Sequence, residues 1–212
     1  MPAGPCNGAA LGPCARHRNG VAPGHWLYPL ELPLNERLLP VNLLSRLFSN
    51  RQDTLAPVRP LWHRVVEIAR EKPWYAEHGM ADTVPGRFDT ITLVLALVLL
   101  RMEREPELME SSVRLTELFV DDMDGQLRQT GIGDIFVGKH IGKLMGTLGG
   151  RLGALREALP QGDAAVAEML ARNMTLIEGA KPIRVAVAAR ALQVALNATT
   201  SEDLMAARIA ER

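Results

Sequence analysis

Between Ile91 and Leu100 the chain is apolar at every position except Thr92, and the wider segment Gly86–Arg104 is apolar on nearly all sides through its middle. A helix with no polar face has to be covered on every side, by protein or by lipid. The run is far short of the roughly 20 apolar residues that span a bilayer. It is therefore expected to be the central helix of a folded domain, and the rest of the chain must wrap it. Aromatics make up only 4% of the residues, while Leu, Ala, Met and Arg are plentiful, a bias that favours helices over strands. With 47% hydrophobic residues in a chain of 212, there is enough apolar surface for one core. The expected fold is all-α, a single compact bundle of about seven helices.

Spacing supplies the wrapping helices. A first runs from about Val58 to Glu71 with Val65, Ile68 and Ala69 inward, and Pro73 ends it; Trp74 and Tyr75 then open a short connection that closes at Gly79. Thr83 and Pro85 read as the start of the central helix. The next helix, about Pro106 to Gln129, carries Leu108, Leu115, Phe119, Met123 and Leu127 as one stripe and is strongly acidic elsewhere, with Gly131 and Gly133 breaking it. From Val137 to Leu159 the residues Val137, Ile141, Leu144, Leu148, Leu152, Leu155 and Leu159 keep steps of four and three, the clearest amphipathic helix in the chain. Weaker helical segments follow at about 163–178, 182–197 and 201–211, the last opened by Thr200 or Ser201 before Glu202 and Asp203.

Residues 1–40 are rich in proline and glycine without a sustained hydrophobic period, so they are expected to form a flexible, disordered segment ahead of a helical domain at 41–212. Val41-Asn42-Leu43-Leu44 reads like a natural start of the protein. Leu43, Leu44, Leu47 and Phe48 share one helical face with Arg46 and Arg51 off it. That pattern suits a weak peripheral contact with an anionic membrane surface, such as the inner membrane, or a short helix docked on the core. Met1–Gly24 lacks the basic and apolar regions of a secretory signal, so a soluble cytoplasmic protein is expected.

Lys plus Arg and Asp plus Glu balance at 24 each, which argues against a nucleic-acid partner. Cys6 and Cys14 are too few for a disulfide framework or a four-ligand zinc site. Gly133-Asp134-Ile135-Phe136-Val137-Gly138-Lys139 has the spacing of a phosphate-binding loop, but His140 stands where Ser or Thr would hold magnesium, and a helix precedes the loop instead of a strand. Asp121, Asp122 and Asp124 with Glu117 gather carboxylates without the EF-hand order. A solvated acidic face, or partners for arginines on a neighbouring helix, is the plainer reading. His17, His25, His63, His78 and His140 form no metal or haem-attachment motif, and no nucleophile accompanies them. No metal, cofactor or catalytic residue is expected. A metal- or haem-handling protein using the aspartates or His78 and His140 is one rival, and an adaptor that oligomerises through the leucine face is another.

The most unusual local feature is glycine inside the best helix: Gly138, Gly142, Gly146, Gly149, Gly150 and Gly153 lie beside the leucine face. At about 1 kcal/mol each relative to alanine they forfeit several kcal/mol of helix propensity. Close packing against another helix would compensate, and so would a docking groove for a hydrophobic partner segment. Lys139, His140, Lys143 and Arg151 form a basic sector on the remaining side.

Several separated pieces resemble a known family. Trp74-Tyr75, Gly79, Asp82-Thr83 and Gly86-Arg87-Phe88-Asp89 are similar to the opening of the domain of ubiquinol-cytochrome c chaperones. Phe119-Val120-Asp121-Asp122-Met123-Asp124, Leu127-Arg128, Gly131-Ile132-Gly133-Asp134 and Val137-Gly138-Lys139 are similar to its central signature. The resemblance covers about residues 58–160. It implies a bacterial relative of a non-catalytic, all-helical assembly factor that binds newly made cytochrome b, or another subunit of the respiratory bc complex, while haem is inserted and the complex assembles. In mitochondria it implies a small helical partner and a place near the ribosomal exit. The surface expected to meet the client is Trp74, Tyr75, Arg128, Lys139, Lys143 and Arg151. Asp121, Asp124 and Asp134 are expected to form ion pairs that hold the acidic and basic helices in register.

Overall fold

The computed structural model describes residues 54–129 and 137–209, the side chains at 126–129 and 137–141 excepted. These residues belong to a compact unit spanning Phe48–Arg212. The expectations for residues 1–40 and 41–49, for Asp134 and for most of the phosphate-loop-like run lie outside them, as do the side chains of Arg128, Lys139 and His140.

Eight α-helices form among the described residues: α1 Arg59–Ala69, α2 Lys72–Ala76, α3 Val84–Met102, α4 Met109–Gln129, α5 Val137–Ala158, α6 Asp163–Asn173, α7 Pro182–Ala198 and α8 Ser201–Met205. They include no strand, and the all-α expectation holds. Helix α3 is the centre. Every residue from Thr90 to Leu99 is buried, and α1, α4, α5 and α7 all pack on it. Its start is set as the sequence indicates: the Thr83 hydroxyl accepts the Gly86 amide at 3.2 Å, and Pro85 occupies the first turn. Glycine is required at the next position. A Cβ on Gly86 would lie 2.0 Å from the Ala81 carbonyl oxygen, so the chain before α3 can fold back over the helix only if no side chain is there.

The far end of α3 is tied to α7 by Arg101, which is buried. Its Nε donates to the Leu196 carbonyl at 3.1 Å and Nη2 to the Thr199 carbonyl at 3.0 Å. Both carbonyls lie at the end of α7, where the helix dipole favours a cation, and that of Leu196 also accepts the Thr199 amide at 3.2 Å. Glu105 lies 3.3 Å from Nη1 on the open side.

Helix α6 is shorter than its pattern indicates. Instead of continuing to residue 178 it stops at Asn173, because Met174 turns extended and the next residues pair with the Gly79–Ala81 segment. The Ala81 amide donates to the Thr175 carbonyl and the Ile177 amide to the Gly79 carbonyl, both at 3.0 Å. Gly79 makes this possible with φ of +92° and no room for a Cβ, which would sit 2.8 Å from that of Ala180. Helix α8 also ends early, at Met205. Its Thr200 cap accepts from the Asp203 amide at 3.1 Å, and hydrogen bonds from Arg208 and then Thr200 hold the Asp203 carboxyl below its ordinary pKa.

Candidate functional site, an apolar groove between α4 and α5

Two of the expected surface aromatics are structural. Trp74 is 1% exposed, and its indole Nε1 donates to the Ile68 carbonyl at 2.8 Å. Tyr75 is half-buried, with its hydroxyl donating to the Ala69 carbonyl at 2.7 Å. Both acceptors lie in the last turn of α1, and the Ile68 carbonyl also accepts the Glu71 amide at 3.3 Å, so the pair of aromatics closes the end of that helix and folds α2 back on it. Trp74 is therefore withdrawn from the client surface, and Tyr75 has its polar end already engaged. The His78 ring stands edge to face with that of Trp74, their centres 5.9 Å apart.

Arg151 is likewise not a surface cation. It is 7% exposed and forms a buried ion pair with Asp89 of α3. Its Nη1 also reaches the Asp89 carbonyl at 3.3 Å and its Nη2 the Asn173 carbonyl at 3.1 Å, and the guanidinium lies 6.0 Å from the centre of the Phe88 ring. The second carboxylate oxygen of Asp89 accepts from the Thr175 amide at 2.8 Å and hydroxyl at 2.7 Å. One acid thus joins α3, α5 and the segment after α6. The reason lies in the helical period: Arg151 stands three residues after Leu148 and four before Leu155, on the inward stripe and not with Lys143.

Of the basic sector, Lys143 is exposed. Among the expected register-setting acids, Asp121 is exposed and Asp124 half-buried; the buried ion pair described above runs through Asp89, which was not among them. Among the described residues no group of three His, Cys, Asp or Glu is placed to hold a metal ion. Leu148 and Leu155 of the leucine face are buried in the core.

The glycine strip decides between its two readings. A Cβ at Gly142, Gly146, Gly149, Gly150 or Gly153 would meet nothing within 4 Å, so among the described residues no helix packs closely against this side of α5. Gly142, Gly146, Gly149 and Gly150 are exposed. Replacing Gly149 and Gly150 together with alanine is therefore expected to stabilise the protein, by up to about 2 kcal/mol, which thermal melting followed by circular dichroism would register as a higher midpoint.

Next to this strip, α4 and α5 diverge over α3 to leave an open groove of about 520 Å³. Leu99 of α3 lines it together with Val113, Thr116 and Val120 of α4 and Met145 and Leu152 of α5. Val113 is 54% exposed and Met145 42%. Glu103, Glu117 and Asp121 also line it, and Glu103 is engaged by Arg156 at 2.8 Å. Gly142 and Gly149 fall on the same line of α5 as Met145 and Leu152, so the groove opens onto a stretch without side chains. Val113, Thr116 and Val120 form a second narrow apolar edge on α4, legible at steps of three and four but masked by the stronger stripe through Leu115 and Phe119.

Fold and groove together define a helical bundle with an apolar, acid-flanked surface groove. The chain belongs to the ubiquinol-cytochrome c chaperone family, whose sequence profile matches residues 76–210. The match leaves out residues 58–75, which the resemblance had included, and takes in the C-terminal helices, which it had not. Among solved structures the chain is similar to the crystal structure of the Cbp3 homolog from Brucella abortus, with 30% identity and a TM-score of 0.66 over 80% of this chain and 96% of that one. Comparison with curated proteins gives no match. No helix among the described residues is long and apolar enough to cross a membrane.

Proposed function

We propose that this chain acts without catalysis, binding newly made cytochrome b through the α4/α5 groove and holding it during assembly of the bc complex. The observation that carries this reading is the groove itself: an apolar trough between two helices, with Val113 and Met145 exposed at its walls. A client rich in transmembrane helices exposes apolar side chains before it is assembled, and an open trough lined by a flexible methionine accommodates varied ones. Carboxylates beside the trough complement the Lys and Arg that flank transmembrane segments on the cytoplasmic side. Family membership supports the same role. Lys143, exposed on the α5 face beyond the glycines, remains a candidate contact.

Tagged protein isolated from membranes of cells actively making the bc complex is expected to carry cytochrome b, identified by mass spectrometry. Val113→Asp is expected to reduce that recovery about tenfold, the effect of placing an unpaired charge in an apolar contact, while the circular-dichroism spectrum stays unchanged. Full recovery by the variant would remove the groove from the proposal, and absence of cytochrome b from the wild-type sample would remove the client.

A further inference from the structure

Helix α7 is apolar on two opposite sides. Val185, Ala189, Leu192 and Leu196 are buried in the core, whereas Ile183, Val187 and Val194 are 41%, 51% and 66% exposed. Ala191 and Ala198, also exposed, continue the outer set. Their steps of four, four, three and four put all five on one strip about 22 Å long. The strip takes no part in either groove lined by α4 residues.

Charge on this helix has one sign. Between Lys181 and Ala198 there is no Asp or Glu, and at 100° per residue Arg184 and Arg190 border the strip about 60° to either side of its middle. Arg184 is exposed, its Nη1 donating to the Glu77 carbonyl at 3.4 Å. Arg190 is half-buried, its Nε 2.8 Å from Asp163 and its Nη1 3.2 Å from the Leu159 carbonyl, so part of its charge is offset. Glu178, exposed in the preceding turn, and Glu202, exposed in α8, are the nearest acids in sequence, each four residues beyond an end of the helix.

We infer that the outer face of α7 rests on an anionic phospholipid surface, with Ile183, Val187 and Val194 at the boundary of headgroups and acyl chains and Arg184 beside the phosphates. A lipid surface fits this strip better than a protein does. The strip is convex, and it holds no Trp, Tyr, Phe, Leu or Met to anchor a partner in a pocket. A fluid bilayer needs no shape complementarity, and long cationic side chains bordering an apolar strip reach headgroups while their stems stay apolar. One short helical face gives weak binding, so the anionic charge is needed as a second signal and salt weakens the contact. This surface is separate from the client groove and stands whether or not cytochrome b is the client.

The test is co-sedimentation of the full chain with vesicles of phosphatidylcholine alone or of phosphatidylcholine mixed with phosphatidylglycerol. Wild-type protein is expected to sediment with the anionic vesicles, about tenfold less with the neutral ones, and to be released by 0.5 M salt, about the range where charge attraction is screened. Val187→Asp with Val194→Asp is expected to abolish sedimentation, Arg184→Glu to weaken it several-fold, and Val84→Asp, an exposed apolar site on α3, to leave it unchanged. Circular dichroism of each variant separates lost binding from lost folding. Wild-type protein that ignores anionic vesicles would overturn the inference. So would a stable dimer in light scattering that Val194→Asp dissolves, since the strip would then be covered by a second copy.

Discussion

Asp89→Ala is expected to destabilise the protein by about 3–5 kcal/mol, measured by urea unfolding followed at 222 nm. The loss comes from what stays behind. Arg151, 7% exposed, would keep a buried charge with only the carbonyls of Asn173 and residue 89 to meet it. The Thr175 amide and hydroxyl, at 2.8 and 2.7 Å from the missing carboxylate, would lose their acceptor. Removing both charges tests the cause: Asp89→Leu combined with Arg151→Met is expected to recover much of the loss, because two apolar side chains leave no uncompensated ion. A single variant within 1 kcal/mol of wild type would show that the pair does not hold α5 against α3.

Trp74→Ala is expected to cost about 3–5 kcal/mol, the usual range for emptying a site filled by a large aromatic. The side chain is 1% exposed, and deleting it also leaves the Ile68 carbonyl without its indole donor. Trp74→Phe separates the two contributions. It keeps most of the ring volume and loses the hydrogen bond, so a smaller loss of about 1–3 kcal/mol is expected by the same unfolding measurement. Equal losses for the two variants would place the whole effect in the hydrogen bond and none in packing.

These two sites mark the border between what the chain's pattern reveals and what it conceals. Helix α3 was legible because an all-apolar run has one physical outcome in a folded domain, and α5 and α7 because long periods and proline starts give clear limits. The ends of α6 and α8 were not. Met174 and Leu176 continue a helical pattern, yet the backbone leaves the helix to pair with Gly79–Ala81, a contact between segments far apart in sequence. Arg151 shows the same limit for side chains. A cation near Lys143 reads as part of a basic face, and only a buried acid on another helix makes its place on the leucine stripe sustainable. That acid, Asp89, was visible in the sequence as one residue of a family-like segment without any sign of its partner.

The glycines were read correctly as unusual and left with two explanations. Among the described residues nothing packs on them, which counts against the seam. The adjoining groove was hidden because its α4 edge, Val113, Thr116 and Val120, is short and lies within an acidic helix whose dominant stripe points elsewhere. Trp74 illustrates the opposite error, since an aromatic suited to an interface is equally suited to closing a helix end, and sequence alone does not rank the two.

The most direct test is site-specific photo-crosslinking in cells that are making the bc complex, with a photoreactive residue in place of Val113 in the groove or of the exposed Arg172 on α6. A covalent adduct with cytochrome b from position 113, and none from position 172, is the expected result. An adduct with cytochrome b from position 172 and not from 113 would contradict client binding in the α4/α5 groove.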